Sequence, residues 1–129
     1  MEVVSFDIAQ KLKEKGYPQK WQNVLAFYNE SGECFSLCPT TSNIALYYTG
    51  NPFKLEELVA PTISQVLKWL REEKRIEVNA CWDNIDTQWI GYASEMDKPD
   101  LVGYYTSIDY DSYEQAAITG IEYVLDNLI

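Results

Sequence analysis

The chain has 129 residues, 47% hydrophobic and 14% aromatic, with a net charge of −10 and no histidine. That apolar content argues against disorder, and the longest apolar runs fall far short of the ~20 residues a bilayer span needs. Without histidine, Ser-His-Asp and Cys-His catalysis and His-based metal centres are excluded, and neither a G-x-x-x-x-G-K-[ST] nor a G-x-G-x-x-G loop occurs.

The opening "MEVVSFDIAQ" has no basic or apolar leader pattern, so a cytoplasmic protein is expected. A first helix follows in "SFDIAQKLKEKGYP". Ser5 suits the N-cap, Asp7 the positive end of the helix dipole, and Phe6, Ile8, Ala9 and Leu12 form an apolar stripe. Gly16 offers a left-handed stop, and Pro18 closes the segment. Next, "NVLAFY" and "ECFSLC" flank residues 30–33, where Gly32 supplies a positive φ for a hairpin turn. The run "NIALYYT" predicts a third strand ending at Gly50, Asn51 and Pro52, whereas "FKLEELVAP" fits either a helical turn or an extended lead-in.

Thr62 and Gln65 have capping-box spacing before a second helix. Its stripe is Ile63, Val66, Leu67 and Leu70, while Lys68, Arg71, Glu72, Glu73 and Lys74 keep to water. "RIEVNACW" then reads as a strand with Ile76, Val78, Ala80 and Trp82 on one face. After the turn "DNID" come two more strands, "TQWIGYAS" and "LVGYYTSI", whose Gly91 and Gly103 mark sheet curvature. Ser112 and Gln115 make a second capping box, opening a helix with Tyr113, Ala116, Ala117, Gly120, Ile121, Val124, Leu125 and Leu128 at helical spacing. The small residues early in that stripe let the helix lie close to a sheet. The fold class expected is α+β, a single domain over residues 1–129. An antiparallel sheet is covered by about three helices in the order α-βββ-α-βββ-α.

Few residues point to chemistry. Cys34 and Cys38, if extended, stand ~13 Å apart, too far for a disulfide or a shared zinc ion. Buried structural thiols, Cys81 included, are the expectation. Residues 83–129 carry Lys98 alone against ten acids. That asymmetry disfavours direct nucleic-acid binding and leaves a basic partner, a bound cation or solubility as its role. Asp109 and Asp111 share a side if extended and are the weak candidates for Mg²⁺ or Ca²⁺, with Asp83 and Asp86 as further acids. Adjacent tyrosines in "ALYYT" and "GYYTS" fall on opposite sheet faces, so one of each pair is available for a protein partner or a second copy.

The segments "SFDIAQKLKEKGYPQK", "APTISQVLKWLREEKRIEV" and "SYEQAAITGIEYVLDNLI" occur in that order and cover roughly half the chain. As a set they resemble a family of small uncharacterised proteins from Bacteroidetes phages and prophages. The resemblance implies an origin and carries no catalytic residue. The resulting expectation is a non-enzymatic phage-type accessory protein, without cofactor, that acts through protein contacts. The alternatives are an acidic nucleic-acid mimic that inhibits a host defence protein, or a small carboxylate-based divalent-metal binder.

Overall fold

The computed structural model describes residues 3–19, 26–36, 58–98, 104–105 and 112–129, and the chain divides into two compact units, Met1–Thr62 and Ile63–Ile129. The protein is α+β, and the described elements follow the expected order α-βββ-α-βββ-α. The strands are distributed over two three-stranded antiparallel sheets, one in each unit.

In the first unit, helix α1 (Phe6–Glu14) begins where Ser5 is extended and its Oγ accepts the Ile8 N–H at 3.3 Å. The helix ends at Gly16, whose φ of 96° lets its N–H reach the Lys13 carbonyl and the Tyr17 N–H reach Leu12. This is the Schellman arrangement, and only glycine adopts such a φ without steric cost. Ile8, Ala9 and Leu12 are buried, as the stripe predicts. Strand β1 (Ala26–Tyr28) lies between β2 (Cys34–Ser36) and β3 (Leu58–Val59). Asn29 shapes the β1–β2 turn: its Oδ1 accepts the N–H groups of Ser31 at 3.0 Å and Glu33 at 2.9 Å, and Gly32 takes φ 81°. The buried Tyr28 hydroxyl donates to the Val4 carbonyl at 2.6 Å, which fixes the segment leading into α1 against the sheet.

The third strand of this sheet departs from expectation. It comes from Leu58 and Val59, inside the ambiguous stretch "FKLEELVAP", and pairs with Tyr28 and Phe27. The strand expected at 43–49 lies outside the described residues.

In the second unit, α2 (Ile63–Glu73) buries Ile63, Val66, Leu67 and Leu70, the predicted stripe. Arg75, at φ 58°, turns the chain into β4 (Ile76–Asp83). Strand β4 pairs with β5 (Gln88–Glu95) along its whole length, from Ile76 opposite Glu95 to Asp83 opposite Gln88. The short β6 (Tyr104–Tyr105) adds to β5. Both α2 and α3 (Tyr113–Asn127) pack on this sheet. Helix α3 starts at Ser112, whose Oγ accepts the Gln115 N–H at 3.1 Å, and buries Ala116, Ala117, Gly120, Ile121, Val124 and Leu125. A Cβ at Gly120 would stand 2.7 Å from Val78 Cγ1, so the small residues do let this helix lie against the strands.

The thiols correct one expectation, since Cys34 and Cys81 are exposed. Strand alternation explains Cys81: Ala80 and Trp82 occupy the face that carries the helices, so Cys81 takes the opposite one. Cys34 opens β2 directly after the turn, where the chain is in water. Cys38 lies outside the described residues. Among the described residues, no helix is long and apolar enough to cross a membrane.

Candidate interaction surface

Between Asp83 and Gln88 the chain reverses through residues 84–87, one residue later than the predicted turn. Asp83 Oδ1 accepts the Ile85 N–H at 2.9 Å, an Asx turn, and Thr87 takes φ 52° to rejoin the ladder. The turn holds Ile85 out in solvent, 90% exposed. Immediately below it, the register sets Trp82 directly opposite Trp89. Directly opposed side chains in an antiparallel pair stand ~5 Å apart at Cβ, so the two indoles are bound to meet. They do so edge to face, with centroids 5.4 Å apart and planes at 68°. Trp89 in turn meets Tyr113, the first residue of α3, at 5.5 Å and 89°.

Ile76, Val78 and Ala80 are buried on the sheet face that carries the helices, but Trp82 on that same face is 50% exposed. The apolar face of the hairpin therefore extends past the first turn of α3 and ends as an aromatic platform tipped by Ile85. Contiguous exposed apolar groups of this kind mark contact surfaces, and Trp and Tyr are enriched in them.

Along the chain the platform is bordered by an acidic rim, because its charged neighbours in sequence are acids. Asp86 and Glu114 are exposed and Asp83 is half-buried. The sequence has no Lys or Arg between Arg75 and Lys98, and none after Lys98. Those two cations stand at the other end of the hairpin, roughly 20 Å along the strands from Trp82. There Lys98 Nζ meets Glu95 Oε2 at 2.9 Å and Arg75 Nη2 meets Asp97 Oδ1 at 3.4 Å.

The metal candidates Asp109 and Asp111 lie outside the described residues. Of the further acids, Asp83 uses one oxygen to accept the Ile85 N–H of the turn, and Asp86 is exposed. Among the described residues, no group of three or more Cys, Asp or Glu could hold a metal ion. The tyrosines of "ALYYT" also lie outside the described residues, and Tyr104 and Tyr105 are placed by their backbone pairing with Ala93 and Tyr92. Sequence reasoning singled out adjacent tyrosines and missed the Trp82–Trp89–Tyr113 row. Two signals could have found it. Trp82 and Trp89 straddle a short turn symmetrically, and an isoleucine sits inside that turn, where burial is unattainable.

The first unit contributes an open cleft of ≈ 340 Å³ floored by Phe6 and Leu58, with Lys13, Glu14 and Glu30 on its exposed rim. Stacked Phe27 and Phe35, with centroids 5.4 Å apart, leave Phe35 half in water. Burial raises the Tyr17 hydroxyl above its ordinary pKa. Burial does the same to Tyr28, with the neighbouring Cys34 adding to the effect. Both shifts favour neutral tyrosine, and the Tyr28 proton is held by the Val4 carbonyl, so neither residue is poised as a base. Comparisons of the chain with protein-family models, curated proteins and solved structures found no match.

Proposed function

We propose that this is a non-enzymatic accessory protein of the phage or prophage type that acts through protein contacts, with the β4–β5 hairpin tip as its contact surface. The observation that carries this reading is Trp82, half exposed on the sheet face where Ile76, Val78 and Ala80 are buried, beside Ile85 in solvent. Leaving Ile85 in water forgoes roughly 1.5–3 kcal/mol of available burial, and the exposed half of the Trp82 indole adds to it. A protein partner would recover that burial on docking. Cytoplasmic location belongs to the same proposal: exposed Cys34 and Cys81 stay reduced there, whereas surface thiols oxidise outside the cell. The nucleic-acid mimic draws less support, since Glu95 and Asp97 are already paired with Lys98 and Arg75 and do not present a row of uncompensated charge.

The test is affinity capture from phage-infected Bacteroidetes cells, using wild type alongside Trp82→Ser and Ile85→Ser variants of unchanged melting temperature. Wild type should retain a stoichiometric partner that both variants lose. Equal recovery by all three would end the assignment of this surface.

A further inference from the structure

Resting on that reading, we infer that the hairpin tip recognises a cationic segment: a partner peptide whose Arg or Lys seats on the exposed Trp82 ring within the acidic rim. Two independent features of the tip lead there. The first is π surface. Trp82 is half exposed while Trp89 and Tyr113 hold the row in edge-to-face contact, so the ring is fixed in orientation before any partner arrives. A cation over an indole face is the strongest of the cation–π pairings. The same unit already contains one, with Lys74 Nζ 5.4 Å from the Trp69 ring centroid.

The second feature is charge. Asp83 and Asp86 flank Ile85 in the turn, Glu114 adjoins Tyr113, and the Lys and Arg of the hairpin stand at its opposite end. A guanidinium or ammonium on Trp82 would find acids in the adjoining turn and in the first turn of α3, and no competing cation along β4 or β5. The charge also decides between occupants. Two copies of a chain with net charge −10 would have to bring these acidic rims together, whereas a cationic segment neutralises them. Specificity then divides between two groups: the aromatic row selects a planar or compact cation, and Ile85 offers an apolar contact to the residue beside it.

The probe is a fluorescein-labelled Gly-Arg-Gly-Arg-Gly-Arg peptide, followed by fluorescence anisotropy at low ionic strength. Its citrulline counterpart has the same shape without the charge. The arginine peptide should bind, and the citrulline peptide should bind at least about tenfold more weakly. Trp82→Leu, which leaves net charge unchanged, should weaken the arginine peptide about tenfold. Asp86→Asn should weaken it about threefold, while Glu122→Gln, the same charge change far along α3, should leave it within about a factor of 1.5. Equal binding of citrulline and arginine peptides would overturn the cationic preference while leaving protein contact at the tip intact. Equal weakening by Asp86→Asn and Glu122→Gln would show bulk attraction only, and would overturn it too. Sedimentation showing a dimer that Trp82→Leu dissolves would replace the cationic partner with a second copy. Loss of the infected-cell partner in Trp82→Ser and Ile85→Ser reports separately on the contact surface itself.

Discussion

Replacing Gly120 by alanine probes the closest approach in the second unit. The added Cβ would lie 2.7 Å from Val78 Cγ1 and 3.5 Å from the Tyr92 carbonyl oxygen. Carbon atoms pack best at about 3.5–4.0 Å, so the methyl intrudes by roughly 1 Å. Val78 is 1% exposed and β-branched, and its strand is locked in register opposite Ala93. Its χ1 therefore has little room to yield. The alternative is for α3 to lift, which would loosen Ala116, Ala117, Ile121 and Val124, all fully buried. Overpacking of this kind costs about 1–3 kcal/mol. The gain in helix propensity, about 1 kcal/mol, offsets part of it. A net loss of up to about 2 kcal/mol is expected in urea unfolding followed by far-UV circular dichroism. The companion variant Val78→Ala removes the clashing methyl. In a double-mutant cycle the pair should be less destabilised than the sum of the singles by at least about 1 kcal/mol, because the two sites share one contact. A Gly120→Ala protein as stable as wild type or more so, with additive behaviour in the cycle, would mean that α3 does not lie this close to β4.

Three smaller predictions follow from caps, turns and titration. Ser112→Ala removes the Oγ that accepts the Gln115 N–H and should cost about 1 kcal/mol, whereas Ser112→Asp should restore most of it, both read by thermal unfolding. Thr87→Asn relieves a β-branched residue at φ 52° and should raise stability by about 0.5–1 kcal/mol, less whatever its bond to the Asp86 carbonyl contributes; a loss instead would show that this bond outweighs the backbone cost. Tyr28 is raised above its ordinary value of 10.0 by burial, so the folded state keeps its proton after the unfolded chain has released it. Its contribution is therefore complete below about pH 10 and is lost as pH climbs from there through the folded pKa. Tyr28→Phe should cost about 0.5–1.5 kcal/mol at neutral pH through the lost bond to Val4, and should flatten the alkaline decline. An alkaline decline unchanged in that variant would point to Tyr17 as its source.

How far the sequence discloses this protein depends on the range of the interactions involved. Ser5, Gly16, Ser112 and the stripe of α2 were legible because caps and helical faces are settled within a few neighbouring residues. The pairing of Leu58 and Val59 with Tyr28 and Phe27 was not, since it joins residues about thirty apart and "FKLEELVAP" satisfies helical and extended patterns alike. Cys81 was misread because hydrophobic character was taken as burial, where strand alternation, with Ala80 and Trp82 committed inward, already forced it outward. The tip follows from two local readings that are each right. Alternation correctly set Trp82 on the same face as Ile76, Val78 and Ala80, and the capping box correctly began α3 near Tyr113. Neither says that the last tryptophan pair of the hairpin reaches only the first residue of the helix that covers its apolar face. This is a mismatch of lengths between elements about thirty residues apart, since Trp89 meets Tyr113 while Trp82, opposite it, stays half exposed. With Ile76, Val78 and Ala80 buried and Trp82 half exposed on the same face, the tryptophan pair adds exposed apolar surface that a hairpin built only to complete the core would not need.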